Sequence, residues 1–76
     1  MIKEHDSVVL TSDLAAEGLM AGDIGTIVHL HNGGAAYEVE FITLAGETVS
    51  VLTLLGSQVR AIAPREIAHV REFRTA

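Results

Sequence analysis

The feature that most constrains the fold is a turn signal followed directly by a strand pattern. Residues 32–34, Asn-Gly-Gly, favour the positive φ angles that tight hairpin turns require. In residues 36–42 every second side chain is apolar, and the intervening positions include Glu38 and Glu40. Because successive side chains of a strand point to opposite faces, this alternation predicts a strand with one buried face and one face in water.

Short runs of β-branched and apolar residues elsewhere in the chain are bounded by turn signals, so they also predict strands. A helical turn at residues 14–17, capped by Ser12 or Asp13 and ended by Gly18, is predicted between the first two strands. The five predicted strands are residues 5–10, 24–31, 36–42, 48–54 and 58–62.

Five short strands with tight connections predict an all-β fold, a small antiparallel SH3-like barrel over residues 1–62. Closing the sheet into a barrel removes the exposed strand edges that an open sheet would present. A five-stranded OB-like barrel is the alternative, but it needs a helix between the third and fourth strands. Residues 43–47 leave no room for such a helix.

The segment after Pro64 predicts a short C-terminal helix. Ile67, Val70 and Phe73 recur at intervals of three and would form a narrow apolar stripe on one helix face. A helix this short is not stable alone, so it must dock on its own barrel, on a twin or on a partner. We therefore divide the chain into a barrel, residues 1–62, and a helical tail, residues 63–76.

Apolar residues are more abundant than one small barrel needs. The chain is 49% hydrophobic over 76 residues and has no cysteine for a disulfide. Val49 and Val51 are predicted to face the core of the barrel. The leucines on the opposite face of the fourth strand and the apolar stripe of the tail are then not needed to fill that core. We predict a homo-oligomer and an interface formed with a second copy or with a partner. Its predicted residues are Leu52, Leu54, Leu55, Ile67, Val70 and Phe73.

The charge distribution favours a protein partner. Residues 1–62 hold eight acids and two bases, a net charge of −6, and residues 63–76 hold three bases and two acids, +1. Nucleic-acid binding rests on clustered Lys and Arg, so this body makes nucleic acid an unlikely ligand. Glu38, Glu40 and Glu47 are predicted to form an acidic face that would suit a basic partner.

No catalytic set is apparent in the sequence, and we predict neither catalytic residues nor a cofactor. There is no cysteine nucleophile and no serine in a Gly-x-Ser-x-Gly elbow. His29 and His31 lie two residues apart on a predicted strand and are weak metal candidates. No third ligand is fixed by spacing, so a solvated strand end is the favoured interpretation.

The start of the chain is charged and lacks the apolar core of a signal peptide. The longest apolar runs fall far short of the roughly 20 residues that span a bilayer. We predict a cytoplasmic protein without membrane contact.

Residues 1–62 resemble the bacterial domain of unknown function 4926 family. The segments that carry the resemblance are residues 1–4 with Asp6, and residues 8–10, 18–19, 21–28, 36–41, 46–48 and 57–60. The resemblance implies a short protein with an SH3-like barrel, encoded beside another small gene as in toxin–antitoxin or immunity pairs. Residues 22–28 are also similar to a strand entry found in KOW and nitrile hydratase β-subunit-like barrels.

The favoured hypothesis is a non-enzymatic interaction module that binds the product of a neighbouring gene, as an antitoxin or immunity protein would. A nucleic-acid-binding barrel of the KOW or Sm kind is the first alternative. An accessory or small enzyme subunit resembling the nitrile hydratase β chain is the second. Fold alone does not decide among these classes.

Overall fold

The computed structural model describes residues 1–74, which form five antiparallel strands and almost no helix. This confirms the predicted all-β class. No helix within these residues is long and apolar enough to cross a membrane. The strands are β1 (Ser7–Leu10), β2 (Ile24–His31), β3 (Ala36–Ile42), β4 (Thr48–Leu55) and β5 (Val59–Ala61).

All five strands belong to one sheet with the order β4-β3-β2-β1-β5. Consecutive strands from β1 to β4 are neighbours, and β5 returns to pair with the other side of β1. Within residues 1–74 no pairing joins β4 to β5, so the sheet is open and the closed barrel is not confirmed.

The core lies on one face of this sheet. The alternation predicted for β3 is confirmed, because Tyr37, Val39 and Phe41 are buried while the glutamates between them are only partly covered. β2 approaches this layer closely through Gly25, where a Cβ would lie 2.6 Å from a Val39 methyl carbon. The buried cluster comprises Val8, Leu10, Leu19, Ile27, Tyr37, Val39, Phe41, Leu54 and Val59.

The predicted orientation of β4 is wrong for three of its residues. Register places Leu52 opposite Val39 and Leu54 opposite Tyr37, so both leucines face the core. Val51 lies opposite Glu40 on the other face and is 49% exposed. The hydrophobic pattern of β4 did not reveal this, because both of its faces carry apolar residues.

The predicted C-terminal helix is also wrong. Residues 63–66 form a turn, in which Glu66 N donates to Ala63 O, and residues 67–74 have no helical structure. The tail instead packs back on the sheet of its own chain through Arg71 and Phe73. A stripe of three apolar residues is too short to stabilise a helix against these contacts.

The helical turn between β1 and β2 is confirmed as a 3-10 turn at Ala15–Glu17, which ends at Gly18 with a φ of 72°. The predicted side-chain cap is wrong, since Leu14 occupies the cap position and makes no cap hydrogen bond. Asp13 instead accepts a hydrogen bond from Ala21 N at 2.8 Å. A second 3-10 turn, Gly56–Gln58, connects β4 to β5.

Candidate functional site

A groove with a volume of about 740 Å³ lies between the tail and one end of the sheet. Its walls combine residues of all five strands, the segments that connect β1 to β2 and β3 to β4, and the tail from Glu66 to Phe73. The groove is concave, and its volume is within the range of ligand-binding clefts.

Apolar side chains dominate the rim of the groove. Leu44 is 90% exposed, Ile67 is 92% exposed and Val70 is 71% exposed. Ile24 and Ile42 lie deeper, on neighbouring strands, and are each about half exposed. So many adjacent exposed apolar groups are unusual on a free surface and are typical of a binding face.

The start of the tail is anchored by Glu66. Arg60 Nη1 lies 2.9 Å from Glu66 Oε1, and Arg60 Nη2 lies 2.6 Å from Oε2. Ala63 N also donates to Glu66 Oε1 at 2.7 Å. These donors, chiefly the Arg60 guanidinium, lower the pKa of Glu66 to about 2. The carboxylate is therefore ionised throughout the neutral range.

The far end of the tail is anchored by Arg71. Its Nε donates to Asp23 Oδ1 at 2.8 Å, and its Nη2 donates to both Asp23 Oδ2 and Gly18 O. Burial alone would raise the pKa of Asp23, but the hydrogen bonds from Arg71 and from Met20 N outweigh it, so the pKa is lowered. The guanidinium therefore ties the tail to the segment between β1 and β2.

Phe73 completes this far anchor by packing against the edge of the core. A Cβ built on Gly18 would lie 3.1 Å from Phe73 Cε1 and 2.9 Å from Arg74 O. Only a residue without a side chain allows the tail to approach this closely, and the positive φ of Gly18 adds to that requirement.

The structure brings together half of the predicted interface residues. Ile67, Val70 and Phe73 line the groove. Leu54 is 5% exposed and belongs to the core, and Leu52 is partly buried against it, so neither leucine forms an exposed surface. Leu55 is exposed but does not line the groove.

The predicted interface residues do not include Ile24, Ile42 and Leu44, which also line the groove. Register brings the first two together, because Thr26 pairs with Glu40 and the same register places Ile24 opposite Ile42. Leu44 follows in the turn after β3. An apolar residue at the tip of a tight turn was the signal that could have marked it.

The three glutamates of the predicted acidic face lie on β3 and in the connection that follows it. Glu38 Oε1 accepts from Thr53 Oγ1 and contacts His31 Nε2, both at 3.0 Å. These contacts, that of His31 first, lower the pKa of Glu38. Glu40 Oε2 accepts from Thr48 Oγ1 at 2.9 Å. Glu47 is exposed and lies in the connection between β3 and β4.

The two histidines lie close together on the sheet, with ring centroids 4.8 Å apart. His29 Nδ1 lies 3.6 Å from Glu4 Oε2, and His31 is held by Glu38. Within residues 1–74 no three potential metal ligands converge on one point. Each imidazole ring therefore has a glutamate carboxylate as its neighbour.

The comparison with family models identifies a family for this chain. The model described as Domain of unknown function (DUF4926) matches residues 4–61 of this chain. The matched range covers all five strands and ends where the tail begins. Neither the comparison with curated proteins nor the comparison with solved structures gives a match.

Proposed function

This chain belongs to the DUF4926 family, and from that premise we propose that it is a non-enzymatic protein-interaction module. Its binding surface is the groove between the sheet and the tail, and its ligand is an apolar segment of a partner protein. The observation that carries the proposal is the rim of the groove, where Leu44, Ile67 and Val70 are each more than two-thirds exposed.

The charges of the groove support an apolar ligand. Its four charged wall residues are arranged as two ion pairs, Arg60 with Glu66 and Arg71 with Asp23. Each guanidinium is thus already neutralised by a carboxylate of the same wall. A charged small molecule would have to compete with these pairs, whereas an apolar segment would bury the rim without disturbing them.

Net charge favours a different protein over a second copy of this chain. Two copies would each bring a charge of −5, and their mutual repulsion opposes association at low ionic strength. A neutral or basic partner carries no such penalty. The predicted homo-oligomer is therefore the competing occupant of the groove.

We place the partner in the cytoplasm and identify it as the product of a neighbouring gene, in an antitoxin-like or immunity-like pair. The family resemblance supports this arrangement. We further propose that the sheet is an SH3-like barrel that has not closed, supported by the return of β5 to the side of β1. In this proposal the sheet is a scaffold shared with other proteins, and the tail adds the groove wall that makes binding specific.

The experiment is a measurement of solution mass, first for the protein alone and then after co-expression with the product of the adjacent gene. The proposal expects a monomer alone and a stable complex of the two chains together. A homo-oligomer that does not change on co-expression would contradict it, and would assign the groove to a second copy.

A further inference from the structure

The two edges of the sheet are protected very differently. The edge at β5 is three residues long, contains the ion-paired Arg60 and is followed by Pro64. The edge at β4 is eight residues long and reads Thr-Val-Ser-Val-Leu-Thr-Leu-Leu, with neither a charge nor a proline. Proteins usually block a long edge with such residues, because its unpaired backbone groups attract further strands.

Hydrogen bonding defines which backbone groups of β4 face outward. Leu55 N donates to Gln58 Oε1 at 2.8 Å, and Gly56 N donates across to Ala35 O. Leu55 therefore directs its N–H away from β3. Because this direction alternates along a strand, Thr53 and Val51 also direct their N–H and C=O groups away from β3. Both residues are exposed.

Acidic side chains lie beside this edge on the face away from the core. Glu38 pairs in register with Thr53, and Glu40 pairs with Val51. Hydroxyl groups of β4 bind one oxygen of each carboxylate. Thr53 Oγ1 donates to Glu38, and Thr48 Oγ1 donates to Glu40. The second oxygen of each carboxylate is not used in those hydrogen bonds.

We propose that β4 adds an extended basic segment of the partner protein as a sixth strand. Its backbone would pair with Val51 and Thr53, and its lysine or arginine side chains would cross β4 to Glu38 and Glu40. Strands lie about 4.8 Å apart, so the added strand would be about 10 Å from β3, a distance that long basic side chains span. This mode of binding is strand addition to an exposed edge.

This inference rests on the proposed function, because it assigns the partner a second contact at a distance from the groove. The charge of the protein supports the basic character of the segment, since an acidic body of −5 attracts cationic ligands and raises their association rate. A second copy of β4 would bring its own acidic face and is therefore the less favoured occupant.

The probe is a blocked synthetic peptide of about nine residues that alternates lysine and valine, the length of a typical strand. The matched control peptide has glutamate at each lysine position. Binding of each peptide to the full chain is measured by the rate of hydrogen exchange at the Val51 and Thr53 amides. We expect the basic peptide to slow exchange at both amides, and raising the salt from about 50 mM to about 500 mM to weaken binding.

Two variants test the two parts of the site. Val51→Pro removes an outward N–H, a change that edge strands tolerate, and should abolish binding while the circular dichroism spectrum is retained. The double variant with Glu38→Gln and Glu40→Gln keeps the edge and should weaken binding about tenfold. Val51→Ala, which keeps the outward N–H, controls for the loss of the valine side chain and should bind like the wild type.

Equal binding of both peptides, or binding of neither, would overturn the inference. So would dimerisation of the wild type that Val51→Pro abolishes, because β4 would then pair with a second copy. If the adjacent gene's product forms a complex but the basic peptide does not bind, only this inference fails. If no complex forms, the proposed function fails, whatever the peptide does.

Discussion

The guanidinium of Arg71 holds the carboxylate of Asp23 across 48 positions of sequence, with Nε 2.8 Å from Oδ1. This ion pair joins the end of the tail to the segment that precedes β2. The tail would otherwise be a short extended chain with few contacts of its own, and such segments fray. The groove keeps its observed form because the tail is held at one end by the Glu66–Arg60 pair and at the other by the Arg71–Asp23 pair.

Replacing Arg71 tests this anchor. Arg71→Ala should lower the free energy of unfolding by about 0.5–1 kcal/mol, a modest figure because solvent screens a partly exposed ion pair. It should also speed hydrogen exchange in residues 67–73. Arg74→Ala removes a more exposed arginine, paired with Glu72, and is the matched control. Urea unfolding and exchange measure both effects, and equal behaviour of the two variants would count against the anchor.

The other anchor predicts a pH dependence. The pKa of Glu66 is lowered from 4.5 to about 2, so its ionised form is favoured in the folded state. Its contribution to stability is present above pH 4.5 and disappears as the pH falls through about 2. Glu66→Gln should therefore destabilise the protein at pH 7. The urea midpoint of the variant should also fall less than that of the wild type as the pH is lowered from 4.5 to about 2.

Glu72→Gln makes the same change of charge at an exposed position of the tail and is the control for Glu66→Gln. Its midpoint should follow the wild-type profile. A Glu66→Gln variant whose profile coincides with that of the wild type would show that the Arg60 contact is not formed in solution.

The close approach of β2 to the core predicts a strong effect at Gly25. Gly25→Ala would place a methyl group 2.6 Å from a Val39 carbon and 2.8 Å from a Phe41 ring carbon. Overpacking of this kind costs about 1–3 kcal/mol. Gly56→Ala is the control, because its nearest neighbour, Gly34 O, is at an ordinary contact distance of 3.5 Å. Thermal unfolding compares them, and equal losses would refute the packing argument.

The orientation of β4 can be tested with two adjacent leucines. Leu54 is 5% exposed and Leu55 is 61% exposed. Leu54→Ala should lower the free energy of unfolding by about 2–4 kcal/mol, as expected for a core cavity, and Leu55→Ala by less than about 0.5 kcal/mol. The reverse order in chemical unfolding would mean that the other face of β4 packs on the core.

Local sequence patterns predicted a strand and its buried face correctly where different signals agreed. The hairpin at residues 32–34 and the alternation in β3 predicted two strands with correct bounds, because turn chemistry and period agree there. Local patterns also predicted β4 as a strand, but not which of its faces is buried, because apolar residues occupy both faces and only pairing with β3 selects the buried one. The register of β4 against β3 determines which face of β4 is buried.

The tail was predicted wrongly for a different reason. Its apolar spacing of three fits a helix. A sequence pattern cannot anticipate that Arg71 binds the segment between β1 and β2 and that Phe73 packs against the core. The same long-range contacts create the groove. The apolar stripe of the tail was predicted as part of an interface, but the shape of the groove and its lining residues Ile42 and Leu44 were not predicted.

The central claim is that the groove binds the neighbouring gene's product. The most direct test is co-purification of that product with the wild type, with the double variant Ile67→Ser and Val70→Ser, and with Met20→Ser. Met20 is about half exposed and lies outside the groove, so its replacement controls for lost apolar surface. Retention by the wild type and by Met20→Ser, with loss in the groove variant, is the predicted result. Equal retention by all three would contradict the claim.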